Sequence, residues 1–117
     1  MKLDRLSFEV PYPPSANKYW RVFRGRAVKS VEARNYALSI RALWPRDVPP
    51  AIGPVAVTLD VVRPSKRGDL DNSAKVILDA LQGLAYLNDS QIVELHMYRS
   101  DNKKAPCVVV TIEERNE

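Results

Sequence analysis

The sequence has few of the residues on which many enzyme classes depend. It contains one cysteine and one histidine among 117 residues. A single cysteine excludes an internal disulfide, and Cys107 lies in an apolar run where a buried, unreactive thiol is expected. A zinc site is also not expected, because His96 has no second histidine or cysteine at ligand spacing and instead fits a solvent-facing strand position. The chain therefore favours a reducing compartment and chemistry that needs neither a thiol nor zinc.

Long hydrophobic runs are missing as well. No stretch approaches the roughly 20 apolar residues of a membrane span, and residues 1–5 lack the apolar core of a signal peptide. The G-x-S-x-G turn that presents a nucleophilic serine does not occur. We therefore expect a cytoplasmic protein that does not use Ser-His-Asp catalysis.

Charge is distributed unevenly along the chain. Residues 18–46 contain eight Lys or Arg residues and one acid, Glu32, so this segment has a net charge of +7. The whole chain has a net charge of +4, so the remainder carries −3. The aromatic residues Tyr19, Trp20 and Phe23 alternate with the cations. Basic segments with aromatic residues are typical of nucleic-acid surfaces, although a solvated basic face gives the same pattern.

Periodicity predicts one domain over residues 1–117. Alternating or apolar runs indicate four strands, and residues 15–29 have no clean period, which fits a long basic loop or a short irregular hairpin. Ser30 is a suitable N-cap for a helix to about Leu43, and a second apolar stripe begins at Asn72. The expected strands are 6–10, 55–62, 91–99 and 108–112. These elements predict an α+β fold with a mixed sheet of about four strands and two helices packed on it.

Acidic residues are concentrated in two short stretches of this basic protein. Asp69 and Asp71 precede the second helix, where Asp71 is placed to be the N-cap, and Lys75 lies one turn further along. Asp89 lies in the turn before the third strand. If that strand neighbours the one ending near Val62, Asp89 should meet the first pair at one edge of the sheet.

Carboxylates brought together repel unless a cation neutralises them, so this arrangement suggests a divalent-metal site. Three carboxylates suit Mg²⁺, with Mn²⁺ as a substitute, and Lys75 could stabilise negative charge on a phosphate. The same residues also fit a helix cap, a surface ion pair with Asp79 and an ordinary turn. A calcium loop counted from Asp69 is excluded, because it would need Gly and Glu where the chain has Ala74 and Ala80.

At these residues the sequence resembles the RusA family of Holliday junction resolvases, small endonucleases of phages and prophages. The motif Asp-Leu-Asp-Asn-x-x-Lys at 69–75 carries the resemblance, with Leu-Asp-Ala-Leu at 78–81 and Asn-Asp-Ser-Gln-x-Val at 88–93. The stretch Pro-Pro-Ser-x-Asn at 13–17 supports it more weakly. Where some members of the family have a second acid, this chain has Asn88, which leaves the role of that position open. The role of Asp79 is also open, either as a fourth metal ligand or as the ion-pair partner of Lys75.

The resemblance implies a Mg²⁺-dependent homodimer that cuts two opposing strands of four-way DNA junctions in recombination and repair. Asp69, Asp71 and Asp89 would be the metal-binding catalytic carboxylates, and Lys75 a catalytic or phosphate-contacting lysine. The basic segment at 17–29 and the basic loop before Asp69 give the expected DNA-binding set. That set is Asn17, Lys18, Tyr19, Arg21, Arg24, Arg26, Lys29, Lys66 and Arg67. The alternative is a module that binds branched or single-stranded DNA without cutting it.

Overall fold

The structure is a computed structural model that describes residues 5–14, 20–63 and 70–115, with only the backbone described at 20, 21, 23 and 70–73. Within these ranges the chain forms six strands and two helices. In chain order they are β1 (Arg5–Pro11), β2 (Trp20–Phe23), β3 (Arg26–Lys29), α1 (Val31–Leu43), β4 (Val55–Arg63), α2 (Leu70–Leu81), β5 (Ile92–Asp101) and β6 (Cys107–Glu114).

Four of the strands form one mixed sheet in the order β1-β6-β4-β5. Strand β6 pairs antiparallel with both β1 and β4, whereas β4 and β5 are parallel. A parallel pair needs a crossover connection, and α2 supplies it between β4 and β5. The prediction of an α+β fold with a four-stranded mixed sheet and two helices is confirmed.

The core lies between one face of this sheet and the two helices. Alternate residues of β4 are buried, as their pattern predicted, and Val57 and Leu59 stand opposite Ile112 and Val110 of β6. Ile40 of α1 and Ile77 of α2 are fully buried in the same cluster. One continuous apolar core therefore holds both helices in place relative to the sheet.

Helix α1 begins at the predicted cap. The Ser30 hydroxyl accepts a 3.2 Å hydrogen bond from the amide of Ala33. Further along, the buried Tyr36 donates from its hydroxyl to the carbonyl of Pro11 at 2.8 Å, which ties the helix to the end of β1. The hydroxyl of this buried tyrosine thus has a hydrogen-bond partner, as burial of a polar group requires.

Helix α2 begins earlier than the sequence suggested. Its first residue is Leu70, so Asp71 is the second residue of the helix, and the prediction of Asp71 as its N-cap is wrong. Helix ends are the least certain part of a periodicity argument, because the apolar stripe identifies the buried face and not the first turn. Asp71 still lies in the first turn, where free amides favour negative charge. No helix in the described part of the chain is long and apolar enough to cross a membrane.

Candidate active site and nucleic-acid interface

Helix α2 carries three charged residues at intervals of one turn. Asp71, Lys75 and Asp79 are four residues apart, so they follow one another along one side of the helix. Lys75 is exposed and Asp79 is half-buried. The side chain of Asp71 and the whole of Asp69 lie outside the described residues, so their assignment as metal ligands stays a prediction.

A capped turn holds Asp89 in position. Asp89 is the first residue of a short 3-10 turn, Asp89–Gln91, that precedes β5. The side chain of Asn88 accepts from the amide of Ser90 at 3.0 Å, and the Gln91 side chain accepts from the amide of Asn88 at 2.9 Å. The role of position 88 was open from the sequence. This reciprocal capping box gives it a structural role, which an amide side chain performs well.

Gln91 also fixes where the turn lies in the molecule. Its side-chain nitrogen donates to the carbonyls of Ala51 and Gly53, at 2.8 and 2.9 Å. The two carbonyls lie four and two residues before Val55, the first residue of β4. Sequence reasoning missed Gln91 as a positioning residue, although the spacing Asn-x-x-Gln at 88–91 is a capping-box signal.

Tyr86 connects this turn to the second half of α2. Its side chain is fully buried, and its hydroxyl donates a 2.6 Å hydrogen bond to the carbonyl of Leu78. Burial raises the pKa of Tyr86, and the negative charges of Asp89 and Asp79 raise it further. This hydrogen bond ties the connection that leads from α2 to Asp89 to the C-terminal half of the helix.

Because β4 and β5 are parallel, the end of β4 and the start of β5 lie at opposite edges of the sheet. Arg63, at the end of β4, forms an ion pair with Asp101 at the end of β5, with 2.9 Å between Nε and Oδ1. Asp89 lies at the opposite edge, where β4 begins. The expectation that Asp89 lies at the sheet edge where β4 ends is therefore wrong. The start of one strand lies beside the end of its neighbour only if the two strands are antiparallel, and β4 and β5 are parallel.

The basic segment before α1 contains a hairpin. Strands β2 and β3 pair antiparallel and are joined by Arg24 and Gly25, which have φ of 52° and 74°. Positive φ at both residues is what a type I′ two-residue turn requires. Arg24 and Arg26 are exposed at the tip and Lys29 is exposed at the end of β3. Of the two alternatives for this segment, residues 20–29 adopt the hairpin.

The rest of the expected DNA-binding set is only partly visible. Arg21 is described by its backbone in β2 alone. The other members, Asn17, Lys18, Tyr19, Lys66 and Arg67, lie outside the described residues.

A groove of about 410 Å³ lies between α1 and α2. Lys29, Arg34 and Arg41 line it together with Asp79, and its apolar lining includes Leu38 and Leu84. Arg34 and Arg41 were absent from the predicted DNA-binding set. Their spacing of seven residues, which places both on one face of α1, was the available signal.

The one histidine and the one cysteine both lie on strands of the four-stranded sheet. His96 is exposed on β5 and lies 3.2 Å from the carboxylate of Glu94. Cys107 is half-buried in β6, where burial and the neighbouring Glu9 raise the pKa of its thiol. A raised pKa disfavours the thiolate, so Cys107 is a poor nucleophile. Within the described ranges, no three His, Cys, Asp or Glu side chains are grouped closely enough to hold a metal ion.

A basic hairpin and groove beside a helix that carries carboxylates and a lysine define the surface of a DNA-processing enzyme. The family model described as endodeoxyribonuclease RusA matches residues 11–113. The chain belongs to this family of nucleases, which confirms the resemblance carried by the acidic motifs.

Individual relatives align over nearly the full chain. The crossover junction endodeoxyribonucleases RusA of Escherichia coli strain K12 and of Shigella sonnei are each 31% identical over 117 residues, covering 96% of this chain and 97% of the relative. The enzyme of the same name from Enterobacteria phage 82 is 32% identical over 110 residues, covering 90% and 91%.

Proposed function

We propose that the chain is a metal-dependent endonuclease that cuts four-way DNA junctions and branched DNA. The names of the relatives, crossover junction endodeoxyribonucleases, support this substrate. One observation carries the proposal: Asp71, Lys75 and Asp79 follow one another at intervals of one turn along one side of α2. The last of them, Asp79, lines the basic groove. A DNA strand in this groove would run beside the lysine and the carboxylates.

The donor set fits a hard divalent cation. Asp69, Asp71 and Asp89 offer carboxylate oxygens, which Mg²⁺ and Mn²⁺ prefer. When bound, the ion supplies an activated water and stabilises charge on the phosphate. This donor set includes neither a thiol nor an imidazole.

The chain's own residues bind and orient the substrate. Lys75, exposed on α2, would stabilise negative charge at the phosphorus or the leaving oxygen. Gln91 would act through Asp89, because it anchors the turn that presents this carboxylate. Arg24 and Arg26 on the hairpin would bind the backbone of a DNA arm through phosphate contacts. The proposed DNA-binding set is completed by Arg21 and Lys29 of the hairpin and by residues outside the described ranges, Asn17, Lys18, Tyr19, Lys66 and Arg67.

A homodimer suits this substrate. A four-way junction presents two equivalent strands, and a protein with two-fold symmetry presents two equivalent sites. Symmetric cleavage of opposing strands would follow from that match.

A Mg²⁺ titration with a labelled four-way junction and a linear duplex of the same sequence tests the proposal. We expect symmetric cuts in the junction, none in the duplex and none in excess chelator. Cleavage of both substrates would indicate a nuclease that does not select structure. Tight binding of the junction without products, at any concentration of Mg²⁺ or Mn²⁺, would instead identify a binding module.

A further inference from the structure

The turn between β5 and β6 carries cations that lie outside the DNA-binding set drawn from the sequence. Residues 102–106 connect the two strands, and both lysines of this turn, Lys103 and Lys104, are exposed. Arg99, near the end of β5, is exposed as well. Among the residues that the structure describes, no ion pair involves any of these three side chains. Their charges are therefore available to an anionic ligand.

The acid that lies among these cations is already paired. Asp101, the last residue of β5, forms an ion pair with Arg63, with 2.9 Å between Nε and Oδ1. Arg63 is only 4% exposed, and a buried guanidinium needs such a partner because burial of an unpaired charge is costly. Residues 99–104 contain three cations and this single acid. Because Arg63 neutralises Asp101, the cations of the segment keep their full positive charge.

Hydrogen bonds hold the turn in one conformation. The amide of Asn102 donates to the carbonyl of Arg63 at 2.8 Å, which joins the turn to the end of β4. The side-chain oxygen of Asn102 accepts from the amide of Lys104 at 3.0 Å, as in an Asx turn. A loop that is ordered before binding loses less conformational entropy when it binds. The lysines are thus presented from a fixed backbone.

This turn lies at the edge of the sheet where α2 begins. The C-terminal end of α2 is attached to the opposite edge, because the amide of Ala51, just before β4, donates to the carbonyl of Ala85 at 2.8 Å. From Leu70 to Leu81 the helix rises by about 17 Å. A helix that connects two parallel strands runs back along the sheet. Helix α2 therefore starts at the edge where β4 ends.

Arg99 extends the basic surface toward the helix. It stands opposite Val61 of β4, which is buried on the face of the sheet that the helices cover. Paired residues of neighbouring strands share a face, so Arg99 lies on the same side of the sheet as α2. The first half of α2 carries Asp71 and Lys75. The cations of β5 and of the turn thus lie at the same end of the fold as these two residues.

We propose that Arg99, Lys103 and Lys104 form a binding site for the phosphate backbone of DNA beside the start of α2. The inference rests on the proposed cleavage and adds to it a contact that holds the substrate at the end of the sheet where α2 carries Asp71 and Lys75. Lysines bind phosphates as point charges, and each phosphate that they neutralise releases counterions.

A pair of charge-matched variants tests this site. Lys103→Ala/Lys104→Ala should weaken binding of a four-way junction, and the slope of the logarithm of the binding constant against the logarithm of the salt concentration should become shallower by about 2. Arg5→Ala/Arg46→Ala removes the same charge from exposed positions elsewhere, Arg5 being at the opposite edge of the sheet, and should keep the wild-type slope. Fluorescence anisotropy in excess chelator measures both. The same slope in the two double variants would overturn the proposal.

Cross-linking locates the contact on the DNA. A photoreactive maleimide on Lys103→Cys should label the junction within a few nucleotides of the phosphates that the wild type cuts. The native Cys107 is half-buried and a poor nucleophile, and the same probe on Arg5→Cys is the control that should not label there. Labelling from position 103 that is absent, or that lies on distant parts of the arms, would contradict the site.

The two levels of inference fail in different ways. A wild-type protein that neither binds nor cuts junctions with Mg²⁺ or Mn²⁺ would refute the proposed function. A wild-type protein that cuts junctions, together with an unchanged salt slope in Lys103→Ala/Lys104→Ala, would refute the turn as a DNA contact and leave the proposed function standing.

Discussion

The hydroxyl of Tyr86 donates to the carbonyl of Leu78 at 2.6 Å, which joins the connection after α2 to the helix itself. Burial raises the pKa of the same hydroxyl, and the negative charges of Asp89 and Asp79 raise it further. A polar contact in the core thus holds the connection that leads to Asp89 against the half of α2 that carries Asp79.

Replacing Tyr86 by phenylalanine should lower the free energy of unfolding by about 1–2 kcal/mol, because a buried hydrogen bond is lost and the Leu78 carbonyl loses a partner. Urea denaturation monitored by circular dichroism measures this change. Tyr98→Phe is the matched control, since Tyr98 is 58% exposed and its substitution should change little. Equal stability of the Tyr86 variant and the wild type would show that the contact contributes nothing.

Stability should decline above about pH 10. Burial raises the pKa of both Tyr36 and Tyr86 above the ordinary value of 10.0. Between that value and the raised one the unfolded chain loses protons that the folded chain retains, so the free energy of unfolding falls as pH rises. Below pH 10 neither tyrosine contributes a pH dependence. Urea titrations from pH 8 to 11 measure the slope, and Tyr86→Phe should make it shallower; an identical slope would contradict the assignment.

Asp71→Asn should reduce junction cleavage at least about a hundred-fold and leave binding intact or slightly tighter. Loss of a metal ligand should reduce activity at least as much as loss of the outer-shell groups that support it. Binding should not weaken, because removing negative charge favours the approach of DNA. Gel-based cleavage and binding assays on the same junction separate the two effects. Asp60→Asn, on an exposed position of β4, is the control and should cut normally. Wild-type cleavage by the Asp71 variant would reject the metal assignment.

The groove between α1 and α2 should contribute phosphate contacts. Replacing both Arg34 and Arg41 by alanine should weaken junction binding. The slope of the logarithm of the binding constant against the logarithm of the salt concentration should become shallower by about 2. Fluorescence anisotropy at several salt concentrations measures that slope. Arg46→Ala is the control, because Arg46 is exposed just after α1 but does not line the groove. If the double variant and the control have the same slope, the groove is not part of the DNA interface.

The sequence alone determined the class of fold and the chemistry to expect. Alternation in β4 and the Ser30 cap of α1 are local patterns, and local patterns survive folding because they follow from backbone geometry and from burial of one face. The acidic motifs at 69–75 and 88–93 likewise indicated the nuclease family, since the residue types and their spacing are properties of the chain itself.

The tertiary structure decided what no local pattern contains. Whether β5 runs parallel or antiparallel to β4 depends on the crossover through α2, and that direction places Asp89 at the edge opposite the end of β4. The groove that joins Arg34 and Arg41 to Asp79 also exists only because two helices distant in sequence pack together. Distances between elements are set by packing over the whole core, so the sequence supplied the functional groups and the fold determined which of them can meet.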